Sequence, residues 1–192
     1  MHSSEATDIL VQDLSTFKNP PNFRGRSIFT VQLWWIVQST LFRMSPQFMY
    51  GWRRFLLRLF GAKIGKKVLF RPGVKITYPW KVSVGANSWI GDNTELYSLA
   101  EIEIGDNVAI AQGVAIICGS HEFRKSTFDI YALPIKIESE CWLCAGSFVH
   151  QGVILGRGSI VGARAVVQES TESYSINVGF PAKKIGTRIV EE

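Results

Sequence analysis

The stretch Ile104-Gly105-Asp106-Asn107-Val108-Ala109, Ile110-Ala111-Gln112-Gly113-Val114-Ala115, Ile116-Ile117-Cys118-Gly119-Ser120-His121 divides into three units of six. An aliphatic residue opens each unit, and a small or β-branched residue follows four positions later. Working outward, the same period places Ile64, Phe70 and Ile76, then Val84, Ile90 and Leu96, ahead of the stretch. Behind it come Ile137, Leu143 and Val149, then Leu155, Val161 and Val167. Five blocks of eighteen result, with slips of two residues between the first three. One longer interruption, Glu122–Lys136, separates the third block from the fourth. Such a repeat marks a solenoid.

A side of four or five extended residues and a tight corner uses six residues at ~3.3 Å each, and coils of three sides stack ~4.8 Å apart by strand pairing. The aliphatic residue points into the resulting prism, and the small or branched one fills the space near a corner. Stacking buries a column that no single coil could bury alone. Ile and Val suit strands, and Gly73, Gly113, Gly146 and Gly152 suit corners with unusual dihedrals. The expected fold is mainly β: a parallel β-helix of about five coils over 62–172, a triangular prism with an extruded loop at 122–136. A lead-in and helical segment over 1–61 precedes it, loose over Met1–Asn22, and a short tail occupies 173–192. Apolar spacing of three and four predicts helices over Ser27–Phe42 and Pro46–Phe60. Ser45-Pro46 reads as N-cap and first turn of the second, and Gly61 as its stop.

Charge is unevenly spread. From Leu14 to Gly91 there are thirteen Lys and Arg and no Asp or Glu, while Asp92–Glu192 holds thirteen acids and eight bases. A basic first half suggests an anionic partner for one end of the molecule. Trp34, Trp35, Phe42, Phe48, Tyr50, Trp52 and Phe55, amid Arg24, Arg26, Arg43, Arg53, Arg54 and Arg58, point to peripheral contact with an anionic membrane. The alternative is that the aromatics seal the open end of the prism. Ile28–Phe42, at fifteen residues, falls short of the ~20 needed to span a bilayer. Met1–Asp13 is polar and acidic, unlike a secretory signal. With three cysteines, Cys118, Cys141 and Cys144, reduced thiols in a cytoplasmic protein are expected. Cys141-x-x-Cys144 lies within the six-residue pattern and reads as packing, not redox chemistry. No nucleic-acid partner is expected.

Only three histidines exist. His2 lies in the lead-in, and His150 follows the inward Val149 on an outward position. His121 closes a coil and opens the loop, so it can face a cleft. An imidazole with an unperturbed pKa near 6.5 suits the activation of a hydroxyl at neutral pH. Glu122 could orient that imidazole or contact an acceptor, with a backbone carbonyl as the alternative orienting group. Phe123, Arg124, Phe128, Tyr131 and Pro134 on the loop suit stacking on a sugar ring or packing against a neighbouring subunit.

The repeats resemble those of the hexapeptide-repeat acyltransferases, over about Ala62–Lys184. Cys118-Gly119-Ser120-His121-Glu122, Cys141-Trp142-Leu143 and Val178-Gly179-Phe180-Pro181-Ala182-Lys183 are similar to the galactoside/maltose O-acetyltransferase branch. Pro20-Pro21-Asn22-Phe23-Arg24-Gly25-Arg26 and Val31-Gln32-Leu33-Trp34-Trp35 resemble the acetyltransferases of colanic-acid-type exopolysaccharide biosynthesis. The resemblance implies a left-handed β-helix, a homotrimer with clefts between prisms, and acetyl-CoA-dependent transfer to a sugar hydroxyl with His121 as general base; Glu122 is the second catalytic candidate, from its place beside that histidine. The resemblance places Trp142, Ala145, Ala163 and the tail through Lys183 by coenzyme A, with Gln168 at a coenzyme corner that Lys183 or Lys184 could make cationic. It places Ser98 by the acceptor, where the loop residues Phe123, Arg124 and Tyr131 are the further candidates from their side chains. The chain departs from that branch in Gln168-Glu169, where Thr-Lys is common, and in Ser98, where Asn is usual. The acceptor implied is a sugar or lipid-linked glycan; a small soluble acceptor and a non-catalytic scaffold are the rival readings. No metal is implied, since a zinc site in such prisms takes three histidine ligands.

Overall fold

The computed structural model describes residues 10–189. From Lys63 the chain winds into a parallel β-helix with three faces. The first face stacks Lys63–Ile64, Val82–Val84, Ile102–Ile104, Ile135–Ile137 and Ile154–Leu155. The second stacks Leu69–Phe70, Trp89–Ile90, Ala109–Ile110, Trp142–Leu143 and Ile160–Val161, and the third Lys75–Ile76, Glu95–Tyr97, Ala115–Ile117, Phe148–Val149 and Val166–Val167. A sixth coil begins with the Leu155–Thr171 bridge and continues as Ser175–Gly179 on the second face. Ala182–Thr187 folds back antiparallel on that strand, so the tail closes the C-terminal end.

All fifteen predicted inward residues, from Ile64 to Val167, are buried. So are the residues two places before each, including Val68, Val108, Cys141, Ser159 and Ala165. This second set explains the Cys141 reading: its thiol is a small filler of the column, with Sγ 3.2 Å from the Gly156 carbonyl. The corners differ in one respect from expectation. Gly113, Gly146 and Gly152 have positive φ, but Gly73 does not; at the same corner position Lys67, Asn87, Asn93, Asn107, Glu140 and Arg164 adopt it too. Gly73 is small because a Cβ there would stand 2.9 Å from Asn93 Oδ1 in the next coil.

The helices are shorter than predicted. Helix α1 is Ile28–Val37, capped by Ser27, and continues as one wider turn over Gln38–Phe42. Helix α2 is Tyr50–Leu59 with Met49 at its N-cap. Ser45 does not cap it; its hydroxyl donates to Phe42 O and accepts from Arg53.

These helices seal the first coil, whose edge would otherwise present unpaired backbone groups. Trp34 Nε1 donates to Ile76 O at 2.8 Å and Gln38 Oε1 accepts from Ile76 N at 2.6 Å. Arg54 donates to Val68 O, and Arg58 to the Ile64 and Gly65 carbonyls. Arg53 is wholly buried, donating to Phe70 O, Ser45 Oγ, Pro46 O and Gln47 O. It is therefore not among the surface cations that its sequence context suggests. Trp34, Phe42, Leu56 and Leu57 plug the open end with apolar surface.

Candidate active site

At the end of the third coil the chain leaves the prism as a hairpin. Gly119–His121 pairs antiparallel with Ile130–Ala132, and the coil resumes at Ile135. The expected loop is thus ordered from its first residue. Gly119 makes a close approach: a Cβ there would lie 2.5 Å from Leu99 Cδ1 and 3.1 Å from Tyr97 Cε1, so those side chains would have to give way. Leu99, Val31 and Tyr78 form a second small core, with Phe23, Tyr97, Ile130 and Ala132 packed on it. The hairpin therefore rests on the lead-in, α1 and the second coil together.

His121 sits where the two hairpin strands begin to part. Its Nδ1 lies 2.8 Å from the carbonyl oxygen of Phe128. A carbonyl only accepts, so Nδ1 carries the proton, and in the neutral ring Nε2 holds a lone pair. The Phe128 ring stacks on the imidazole at 4.2 Å and 9°, and Phe17 approaches at 5.9 Å. Phe128 has φ +49°, the left-handed region that bulky residues rarely enter. Strain of this kind persists where its surroundings enforce it; here the Phe128 N–H bonds to Lys125 O and its carbonyl holds the histidine.

The lead-in is less loose than its composition suggests. Asp13 N donates to Ser126 O at 2.7 Å, capping the hairpin from outside. His2 lies outside the described residues. Between lead-in and hairpin is a hollow of about 520 Å³, lined by Lys18, Asn19, Pro20, Pro21, Glu122, Lys125, Asp129, Ile130 and Tyr131. The Thr127 hydroxyl and then the Lys125 ammonium hold the Asp129 carboxyl below its usual range. Glu122 Oε1 accepts from the Arg124 amide at 3.3 Å, so the imidazole is oriented by a backbone carbonyl. Phe123 is 72% exposed, with the Arg124 guanidinium 5.6 Å over its ring. Tyr131 accepts from Gln151 Nε2 at 3.3 Å, tying the hairpin to the fourth coil.

Ser98 takes another place from the one expected. It is fully buried, and its hydroxyl accepts from Tyr78 N at 2.8 Å and donates to Tyr78 O at 3.0 Å. Its single donor and one of its two lone pairs are therefore engaged by the backbone of the previous coil.

The remaining predicted residues gather on coils four and five. Trp142 is half-exposed on the second face. Ala145 and Ala163 stack at the corner between second and third faces, where Arg164 N donates to Ala145 O at 3.0 Å. Their own N–H groups find no hydrogen-bond partner among the described residues. Gln168 is exposed at the end of the third face. Lys183 lies 3.8 Å from Glu169, and Lys184 2.6 Å from Glu172, so both tail cations are already paired. No thiol joins either group: burial pushes Cys118 up to about 12 and raises Cys141 and Cys144. Sequence reasoning missed Phe17, whose place over His121 has no local signal; it allowed a backbone carbonyl as the orienting group, but no side chain announces that Phe128 supplies it.

Residues 81–118 and 134–168 match the family model described as the hexapeptide repeat of succinyl-transferase. Over 182 residues the chain is 50% identical to an Escherichia coli K12 protein named "Putative colanic acid biosynthesis acetyltransferase WcaF", covering 95% of this chain and all of that one. A maltose O-acetyltransferase of Clostridium difficile 630 superposes with a TM-score of 0.78 at 24% identity, over 92% of each chain. A hexapeptide-repeat acetyltransferase of Vibrio cholerae, solved with acetyl coenzyme A, gives 0.75 at 21% identity, over 83% of this chain and 87% of that one. The two superpositions share the coil architecture, and half-identity along an entire relative adds common descent: the chain belongs to the hexapeptide-repeat acetyltransferases, acyltransferases built on the left-handed parallel β-helix.

Proposed function

We propose that the protein transfers an acetyl group from acetyl-CoA to a sugar hydroxyl during exopolysaccharide assembly, with His121 as general base. The observation that carries this is the Phe128 carbonyl on Nδ1, which in the neutral ring puts the lone pair on Nε2. Nε2 takes the proton of the acceptor hydroxyl as its oxygen attacks the thioester carbonyl. The new C–O bond forms, the C–S bond breaks, and the imidazolium returns the proton to the departing coenzyme A thiolate. Backbone amides stabilise the oxyanion between those events. The free amides of Ala145 and Ala163, one coil apart, suit the amide-rich arm of coenzyme A, and Trp142 supplies an apolar wall.

The relative named for colanic acid biosynthesis favours a glycan acceptor; in this reading the glycan is lipid-linked and met at the cytoplasmic face of the membrane. The hollow beside Glu122 and Tyr131 has the volume for one sugar ring of it. A homotrimer is favoured by the second face, whose outward row of Leu69, Trp89, Ala109, Trp142, Ile160 and Ile176 is apolar throughout. Glu122, Phe123, Arg124 and Tyr131 border the acceptor in this reading, and Gln168, Lys183 and Lys184 the nucleotide end of the donor.

Mass spectrometry of surface polysaccharide from cells with and without the protein tests the reading. Acetyl esters present only with the protein are expected; identical spectra would overturn the glycan assignment.

A further inference from the structure

The outer side of the N-terminal helices is apolar without serving the fold. Helix α1 carries apolar side chains on both its inner and outer sides, with Thr30 and Gln32 its only polar residues: Val31 and Trp34 are buried against the prism, yet Phe29, Leu33 and Ile36 face solvent. Met44 and Phe48, in the turn between the helices, are 77% and 79% exposed, and Phe29 is 83% exposed. A helix apolar on both sides normally has cover on both sides, and a contiguous apolar surface marks a contact. The prism needs nothing from this layer, since Trp34, Phe42, Leu56 and Leu57 already close it and the edge carbonyls are bonded.

The charge around the patch selects among occupants. No ionisable residue falls between Arg26 and Arg43; exposed Arg26 precedes the patch, and exposed Arg43 interrupts it just before Met44 and Phe48. No acid occurs from Leu14 to Gly91. A second copy meeting this end with its own would bring the same cations and no carboxylate to pair with them. A bilayer with anionic headgroups offers negative charge at the rim and acyl chains in the middle. No helix among the described residues is long and apolar enough to cross a membrane, which leaves α1 lying in its surface plane. We infer that the outer face of α1 and the turn before α2 is a docking surface for an anionic lipid bilayer. Placing a lipid-linked acceptor there rests on the function proposed above; the docking rests on the surface alone.

The test uses the full-length protein with vesicles of phosphatidylcholine plus phosphatidylglycerol, and of phosphatidylcholine alone, at low salt. Co-sedimentation with the anionic vesicles only is expected, and Phe29→Ser with Phe48→Ser should abolish it. Arg26→Glu with Arg43→Glu should weaken it on the order of tenfold or more. A protein left in the supernatant with anionic vesicles, or variants that bind like wild type, would overturn the inference. So would a lower oligomeric mass of the Phe29→Ser, Phe48→Ser variant in sedimentation velocity, which would assign the patch to a neighbouring subunit. Acetyl transfer to a soluble sugar, assayed in parallel without vesicles, should be unchanged in both variants. Absent transfer with intact vesicle binding would count against the proposed reaction and leave the docking standing.

Discussion

At His121 the useful fact is which nitrogen carries the proton. Had the imidazole met a hydroxyl at Nδ1, either neutral tautomer could form; a carbonyl allows one. His121→Ala should therefore cut kcat by about two to four orders of magnitude, as loss of a general base does. The melting temperature should barely move, because the side chain lies outside the buried column. Turnover near wild type in steady-state assays of coenzyme A release would remove His121 from the mechanism. Ser98 teaches the converse lesson about single residues. Its hydroxyl is bonded to the backbone of Tyr78, twenty residues away, a partner that no local motif announces.

At the scale of elements, the hairpin is what turns a structural repeat into a site. Its first strand lies close on Leu99, where a Cβ at Gly119 would stand 2.5 Å from Leu99 Cδ1 and something would have to shift. Gly119→Ala should lift the first hairpin strand and carry His121 with it. A shift of that kind can lower kcat on the order of 100-fold, and overpacking should destabilise by about 1–3 kcal/mol. Adding Leu99→Ala should restore part of kcat even though it opens the second core. Unchanged kcat in the single variant would show that the hairpin does not position the base. The coils were legible in the sequence because every inward position must be apolar or small, and the chain repeats that demand fifteen times over. The hairpin was less so: Gly119–His121 and Ile130–Ala132 are three residues each, too short for alternation to show. Arg53 was illegible for another reason. Its partners are backbone carbonyls and one serine, so its charge reads as surface while its donors are satisfied inside.

At the scale of the whole molecule, the proposed donor end is weakly cationic. Lys183 and Lys184 face Glu169 and Glu172, which offset the attraction they would exert on coenzyme phosphates. Gln168→Thr with Glu169→Lys removes one of those acids and adds a cation. The KM for acetyl-CoA should fall by an amount equivalent to about 1 kcal/mol or less, since the residues are exposed and screened. An unchanged or higher KM would take this corner away from the coenzyme. The larger question is how the base reaches the thioester. His121 follows the far end of the third face, while Ala145 and Ala163 stand at its near corner. A side of four or five residues puts roughly 13–17 Å between those corners in one chain. In the proposed trimer, the hairpin corner of one prism can instead meet the coenzyme corner of the next, so each cleft takes its base and its donor site from different chains. Mixing His121→Ala and Trp142→Ala chains through unfolding and reassembly should then regain activity that neither variant has alone. With equal amounts and random assembly, about one cleft in four pairs an intact base with an intact donor site. Recovery near that fraction is expected. If the mixture stays as inactive as its parts, base and donor site belong to the same chain, and the cleft must lie across the third face instead.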